Sequence, residues 1–208
     1  MDCQTACRDH RILSSFAFLL TLLFASKSSA ILLQALPSAS DVAVGDQFRI
    51  NLVISGLEQQ SPQEIVRGYH LDLGYTPDIT AATDVVFGDM LGLYSPLSSI
   101  FQKSELTNGN VMLEELSLWG DSVLDLAQPD SFMLASVGFV AMDAGTVNFD
   151  FTPYLNFGID IKGLNADVLP VTSMGGAVNI HGVTIPAPAT IFLLGVGLLG
   201  MAILKTGR

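Results

Sequence analysis

Apolar and polar residues alternate with a period of two over several short stretches in the middle of the chain. Phe48-Arg49-Ile50-Asn51-Leu52-Val53-Ile54 opens the series, and its phase predicts a half-buried strand. A polar loop from Glu58 to Glu64 follows. Tyr69, Leu71, Leu73 and Tyr75 then share one face of a predicted strand, with His70, Asp72 and Gly74 on the other, and Thr76-Pro77-Asp78 turns the chain. Val85-Val86-Phe87 reads as a short strand ended by Gly88-Asp89. Thr107-Asn108-Gly109-Asn110 is a hairpin signal, because Asn-Gly tolerates the positive φ of a tight turn, and Val111 to Leu118 follows as a strand. Met133, Ala135, Val137 and Phe139 alternate with Leu134, Ser136, Gly138 and Val140, apolar on both sides, which predicts a central strand. Asp143-Ala144-Gly145-Thr146 turns into Val147, Phe149 and Phe151, and Ala177 to Ile180 closes the series. About seven short strands punctuated by turn residues predict a β-sandwich.

The two ends follow another pattern. Ile12 to Ala25 is an uncharged, mostly apolar run preceded by Arg8 and Arg11 and followed by Ser28-Ser29-Ala30. A basic start, a short apolar core and small residues before a cut are the marks of a secretory signal peptide, with cleavage after Ala30. The run is shorter than the roughly 20 residues a membrane span requires. The far end holds Ala189 to Leu204 without a charge, then Lys205 and Arg208. Extended back to Val183, the uncharged stretch would reach about 33 Å as a helix, enough to cross a bilayer core of about 30 Å. Pro186 and Pro188 interrupt the helix at its outer end, and the basic residues are expected to stay cytoplasmic. The expected division is a signal peptide at 1–30, a β-sandwich domain at 31–182, and a sorting or anchoring segment with a transmembrane helix at 183–208.

Charge sharpens this division. The whole chain carries a formal net charge of −11, but residues 31–184 hold four basic against eighteen acidic side chains, a net of −14. Such a domain repels phosphate backbones, which excludes nucleic acid as a partner, and attracts cations or basic surfaces. Cys3 and Cys7 both lie ahead of the first apolar run. The exported part therefore has no thiol for a disulfide or a zinc site.

The order Val44-Gly45-Asp46-Gln47-Phe48, Ile54-Ser55-Gly56-Leu57, then Gly68 to Pro77 (GYHLDLGYTP) resembles the opening strands of cohesin domains. Phe132 to Phe139 followed by Ala144-Gly145-Thr146 is similar to the later cohesin hairpin. The likeness covers about residues 38–152 and departs from the pattern in a long insertion from Leu91 to Ser104 and again from Leu155 to Met174. It implies a jelly-roll sandwich, of a superfamily shared with carbohydrate-binding modules, and a protein partner held through one sheet face, as cohesins hold dockerins.

The tail resembles the PEP-CTERM sorting signal: Ile185-Pro186-Ala187-Pro188, an apolar segment, then Lys205 and Arg208, with Ala187 where the usual signal has glutamate. The resemblance implies processing by an exosortase-type enzyme near the proline motif and delivery to the cell surface or exopolysaccharide matrix.

No catalytic constellation stands out. His70 and His181 are the histidines of the domain, and His70 beside Asp72 reads as a solvated polar pair. Glu114 and Glu115 are adjacent, so on a strand they point to opposite faces and cannot act as a glycosidase pair. Asp121 and Asp125 read as loop or helix-end residues. Eighteen carboxylates leave Ca²⁺ between loops as an alternative, although no EF-hand order exists and Asp143, Asp150, Asp160 and Asp167 are too far apart to share a short loop. Trp119 is the candidate ligand contact, by stacking on a sugar ring, against a packing role at the core's edge. Tyr69 and Tyr75 read as core. The expected function is a non-enzymatic, exported binding or matrix protein with a protein or polysaccharide partner; a membrane-tethered carbohydrate-binding module is the alternative.

Overall fold

The computed structural model describes residues 30–58, 63–92, 100–152 and 159–182. The signal-like run and the tail, including Pro186, Ala187, Pro188, Lys205 and Arg208, lie outside the described residues. Among those described, no helix is long and apolar enough to cross a membrane.

Twelve strands, one short α-helix and a 3-10 turn at Leu164–Ala166 are found among the described residues: β1 (Ile31–Pro37), β2 (Asp41–Ala43), β3 (Gln47–Ser55), β4 (Gly68–Gly74), β5 (Thr80–Phe87), β6 (Ile100–Thr107), β7 (Asn110–Ser117), α1 (Asp121–Ala127), β8 (Ser131–Ala141), β9 (Gly145–Phe151), β10 (Asp160–Lys162), β11 (Val171–Met174) and β12 (Gly176–His181). They form two sheets. The first runs β11-β1-β3-β8-β5; the second runs β2-β12-β9-β4-β7-β6, with β10 added on β4. β8, which the pattern placed centrally, lies between β3 and β5.

The alternation sets which residues meet between the sheets. Ile50, Leu52 and Ile54 of β3 and Val137 and Phe139 of β8 face Leu71 and Leu73 of β4, Val111 and Leu113 of β7 and Val147 and Phe149 of β9, all essentially fully buried. Each such side chain contributes about 1.5–3 kcal/mol by leaving water. Aromatic rings join the layers: Phe139 lies 5.8 Å from Phe48 and 4.9 Å from Phe149, centroid to centroid, and Tyr75 meets Phe139 edge-on at 5.2 Å.

Both ends of the domain are tied in by parallel pairing. β1 pairs β11 in the first sheet, with Ile31 opposite Val171, and β2 pairs β12 in the second, with Ile180 opposite Val42. The Asn108-Gly109 hairpin turn joins β6 to β7 as expected, with Gly109 at φ 89°. β10 resumes the edge of β4 that β9 leaves at Thr152, since Gly74 pairs Asp150 and His70 pairs Asp160.

The sequence pattern undercounts the strands. The stretch taken as an insertion from Leu91 to Ser104 ends in β6, a regular strand paired along its length with β7. Asp121 starts α1, as a helix-end residue, whereas Asp125 lies inside it. Gln128, just after α1, clamps the loop before β4: its Oε1 accepts from Val66 N at 2.8 Å, and its Nε2 donates to Val66 O at 2.7 Å.

Candidate functional site

Directly opposed residues of an antiparallel pair point to the same side. With Leu71, Leu113 and Val147 facing the core, the other face of the second sheet follows. β6 supplies Phe101, Lys103, Glu105 and Thr107; β7 supplies Asn110, Met112, Glu114 and Leu116; β4 supplies His70 and Asp72. Thr146, Asn148 and Asp150 of β9 and Asn179 and His181 of β12 complete it, with Asp41 of β2 at the far end.

This face carries a chain of polar contacts. Asn110 Nδ2 donates to Asp72 Oδ1 at 2.8 Å, and Asp72 Oδ2 lies 3.6 Å from His70 Nε2. Lys103 pairs with Glu105 at 3.1 Å, Lys162 with Asp160 at 2.9 Å, and Thr146 Oγ1 donates to Asn179 Oδ1 at 2.9 Å. At the β2 end, Ser40 Oγ donates to Asp41 Oδ2 and His181 Nε2 lies 3.2 Å from Asp41 Oδ1. The Ser40 hydrogen bond first, and then His181, hold the Asp41 carboxyl below its ordinary range. At the β6 end an apolar pair stands in solvent: Phe101 and Leu116 are register partners, 52% and 41% exposed. The face is thus mainly acidic, with an apolar corner.

His70 and Asp72 share one face as expected, but they are not a solvated pair. Asp72 is 5% exposed and His70 half-buried, because Asn110 and the chain at Thr152, whose N–H donates to Asp72 O at 2.9 Å, close over them.

The opposite, inward side of the same strands holds a buried carboxyl. Glu114 and Glu115 point to opposite faces as expected, and Glu115 is 1% exposed, across from Tyr69. The Tyr69 hydroxyl has one hydrogen but lies 2.8 Å from Glu115 Oε2 and 2.9 Å from Leu134 O. Gln102 Nε2 donates to Glu115 Oε1 at 2.9 Å. A protonated Glu115 satisfies every atom: it donates to the Tyr69 oxygen, which donates onward to Leu134. Burial raises the Glu115 carboxyl above its ordinary value and Asp89 adds to this, while the Gln102 and Tyr69 hydrogen bonds oppose it. Burial, then the charge of Glu115, pushes the Tyr69 phenol well up. Sequence reasoning gave Tyr69 as core but missed this link; the core phase of β4 and β7 places Glu115 inward.

Trp119 lies outside any strand, two residues past β7. It is half-buried, and its indole N–H has no hydrogen-bond partner among the described residues. Asp121 and Asp125 line an open hollow of ≈ 260 Å³ with Gln63, Ser122 and Leu164. Asp121 is spoken for there, pairing with Arg67 at 3.0 Å and accepting from Asn165 N at 3.0 Å. Among the described residues, no three His, Cys, Asp or Glu side chains converge as a metal site. The outer face of the first sheet is internally paired: Arg49 binds Asp84 at 3.0 Å and donates from Nη2 to Ser136 O at 2.7 Å.

No curated protein matches the sequence. A family model described as the PEP-CTERM protein-sorting motif matches residues 184–205. Among solved structures, the non-cellulosomal cohesin from the hyperthermophilic archaeon Archaeoglobus fulgidus is similar with a TM-score of 0.54 at 13% identity, over 74% of this chain and 92% of that one. A type II cohesin domain from the cellulosome of Acetivibrio cellulolyticus gives 0.58 at 15% identity, over 73% and 96%. A type II cohesin–X-dockerin complex from the same organism gives 0.58 at 12% identity, over 73% and 99%. The chain therefore joins a domain of all-β, cohesin-like fold to a PEP-CTERM sorting motif at its C-terminal end.

Proposed function

We propose that this is an exported, non-enzymatic protein-binding module, delivered to the cell surface through its sorting tail, that docks a protein partner on the outer face of the second sheet. The observation that carries the reading is the Phe101–Leu116 pair, two large apolar side chains left in solvent next to the Lys103–Glu114 pair at the β6 edge of this face. Exposed large apolar side chains flanked by charged ones are a common composition of a docking surface. Dockerin binding by the cohesin in the similar complex supports a protein as the class of partner. The acidic face favours a basic one.

The sorting motif supports export, an exosortase-type enzyme acting near Pro186-Ala187-Pro188, and membrane anchoring by the apolar segment ahead of Lys205 and Arg208. Cleavage after Ala30 would begin the mature chain at Ile31, the first residue of β1. A glycan contact has Trp119 as its one candidate residue.

Two measurements on cells making the full chain test this. Intact mass of the surface form is expected to show loss of residues 1–30 and of the segment after the proline motif; an unprocessed chain in the cytosol overturns export. A photo-crosslinking residue at Leu116 is expected to capture a protein that one at Val53, on the other sheet, does not. Equal capture at both overturns the docking face.

A further inference from the structure

We propose that β6 is a dimerisation edge, pairing antiparallel with β6 of a second copy about a two-fold axis through Ser104. The inference is independent of the partner reading and rests on how the edge strands of the two sheets differ, β10 being only three residues long. Natural sheets protect their edges by shortness, bulges, proline or charge. In the first sheet, β11 has only four residues and β5 is broken by a register shift between Ala82 and Asp84. In the second, β2 has three residues. β6 has eight, contains no proline, and keeps an unbroken register. Among the described strands it hydrogen-bonds to β7 alone, and Phe101 through Thr107 are all exposed.

The side chains of β6 specify the occupant. Placing Ser104 on the axis sets Lys103 of each copy across from Glu105 of the other, on the same face. It also sets Phe101 against Thr107 and Gln102 against Leu106. Sliding the pairing so that residue 103 or residue 105 sits on the axis brings Lys103 against Lys103 or Glu105 against Glu105, which like-charge repulsion disfavours. The strand is therefore charge-complementary to itself in one register. Lys103 is one of only four basic residues between 31 and 184, so this is also a place where an otherwise self-repelling surface offers a copy of itself a positive charge. The Lys103–Glu105 pair within each strand becomes a four-charge group across the junction. Because paired residues share a face, the two second sheets join into one, and both candidate binding faces look the same way.

The domain has no cysteine, which gives a direct test in the full chain with Cys3→Ser and Cys7→Ser. Opposed residues of an antiparallel pair lie about 4.5–5.5 Å apart between Cα atoms, within the range a disulfide bridges. Ser104→Cys is expected to yield a disulfide-linked dimer on export, at least about tenfold more than Asn51→Cys on the other sheet. Adding Lys103→Glu should abolish the cross-link, and Lys103→Glu with Glu105→Lys should restore it, because the swap recreates the same pairs. Cross-linking of Ser104→Cys no greater than at Asn51, or indifferent to charge reversal, overturns the proposal. Sedimentation of the unsubstituted chain in mild detergent gives a second reading: twice the monomer mass supports the pairing, and a monomer at tens of micromolar refutes it.

Discussion

Replacing Glu115 by Gln isolates the buried proton. In the wild type, the folded state binds a proton at Glu115 more tightly than the unfolded chain, whose carboxyl titrates near its ordinary value of 4.5. The folded state then holds more protons over the window between the two values, so this group's contribution falls as pH rises through the folded value. The side chain introduced by Glu115→Gln has no proton to lose. Its amide donates to the Tyr69 oxygen and its carbonyl accepts from Gln102, reproducing the protonated arrangement. The two proteins are expected to be nearly equal in stability near about pH 4. Above it the variant gains, because an ionised Glu115 leaves Tyr69 to choose between two acceptors and leaves a charge desolvated. One buried polar group left unsatisfied costs about 1–3 kcal/mol, which for a domain of this size is roughly 3–10 °C in Tm. Asp41, whose lowered carboxyl gives the opposite pH dependence, is common to both proteins and cancels in the difference. Thermal unfolding of the full chain in detergent from about pH 4 to about pH 8 reads the divergence. Curves that stay parallel, or a wild type that gains on the variant as pH rises, refute the assignment of the proton.

Three further outcomes follow from the packing and the loops. Gln128→Leu strips both backbone partners from Val66 and is expected to cost about 2–4 kcal/mol, read as a lower urea midpoint with an unchanged slope. Phe139→Ala empties the contact among Phe48, Phe149 and Tyr75 and is expected to cost about 3–5 kcal/mol in the same assay. Arg49→Met, by contrast, breaks a half-exposed pair with Asp84 and should change stability by no more than about 1 kcal/mol; a larger loss would mean that its bonds to Ser136 dominate.

What the sequence reveals of this fold depends on burial. β3, β4 and β9 alternate along the sequence and are legible by that period, while β8 is legible as a run apolar on both sides. β6 escapes because a strand exposed on both sides has no reason to alternate, and most of it falls in the stretch from Leu91 to Ser104 that reads as an insertion. β1 escapes because Ile31-Leu32-Leu33 follows the signal-like region without a change in character. β2 and β10 are three residues long, too short for any period. The candidate face was half legible. The sequence placed His70 with Asp72 and set Glu114 against Glu115, but the burial of Asp72 depends on Asn110, a residue thirty-eight positions away. Trp119 drew notice for its chemistry, while the large exposed aromatic among the described residues is Phe101, whose strand was not foreseen.

The parallel pairing of β2 with β12 has a mechanical consequence. A force applied at Gly182 along β12 would run across the ladders to β2 and β9. Tension from the anchor would therefore load many bonds at once in shear instead of unzipping them one at a time. With a partner held on the proposed face of the same sheet, the load would pass from β12 through β9 and β4 to β7 and β6 without crossing the aromatic core. A tether under flow would stretch one layer of the sandwich and leave the other slack.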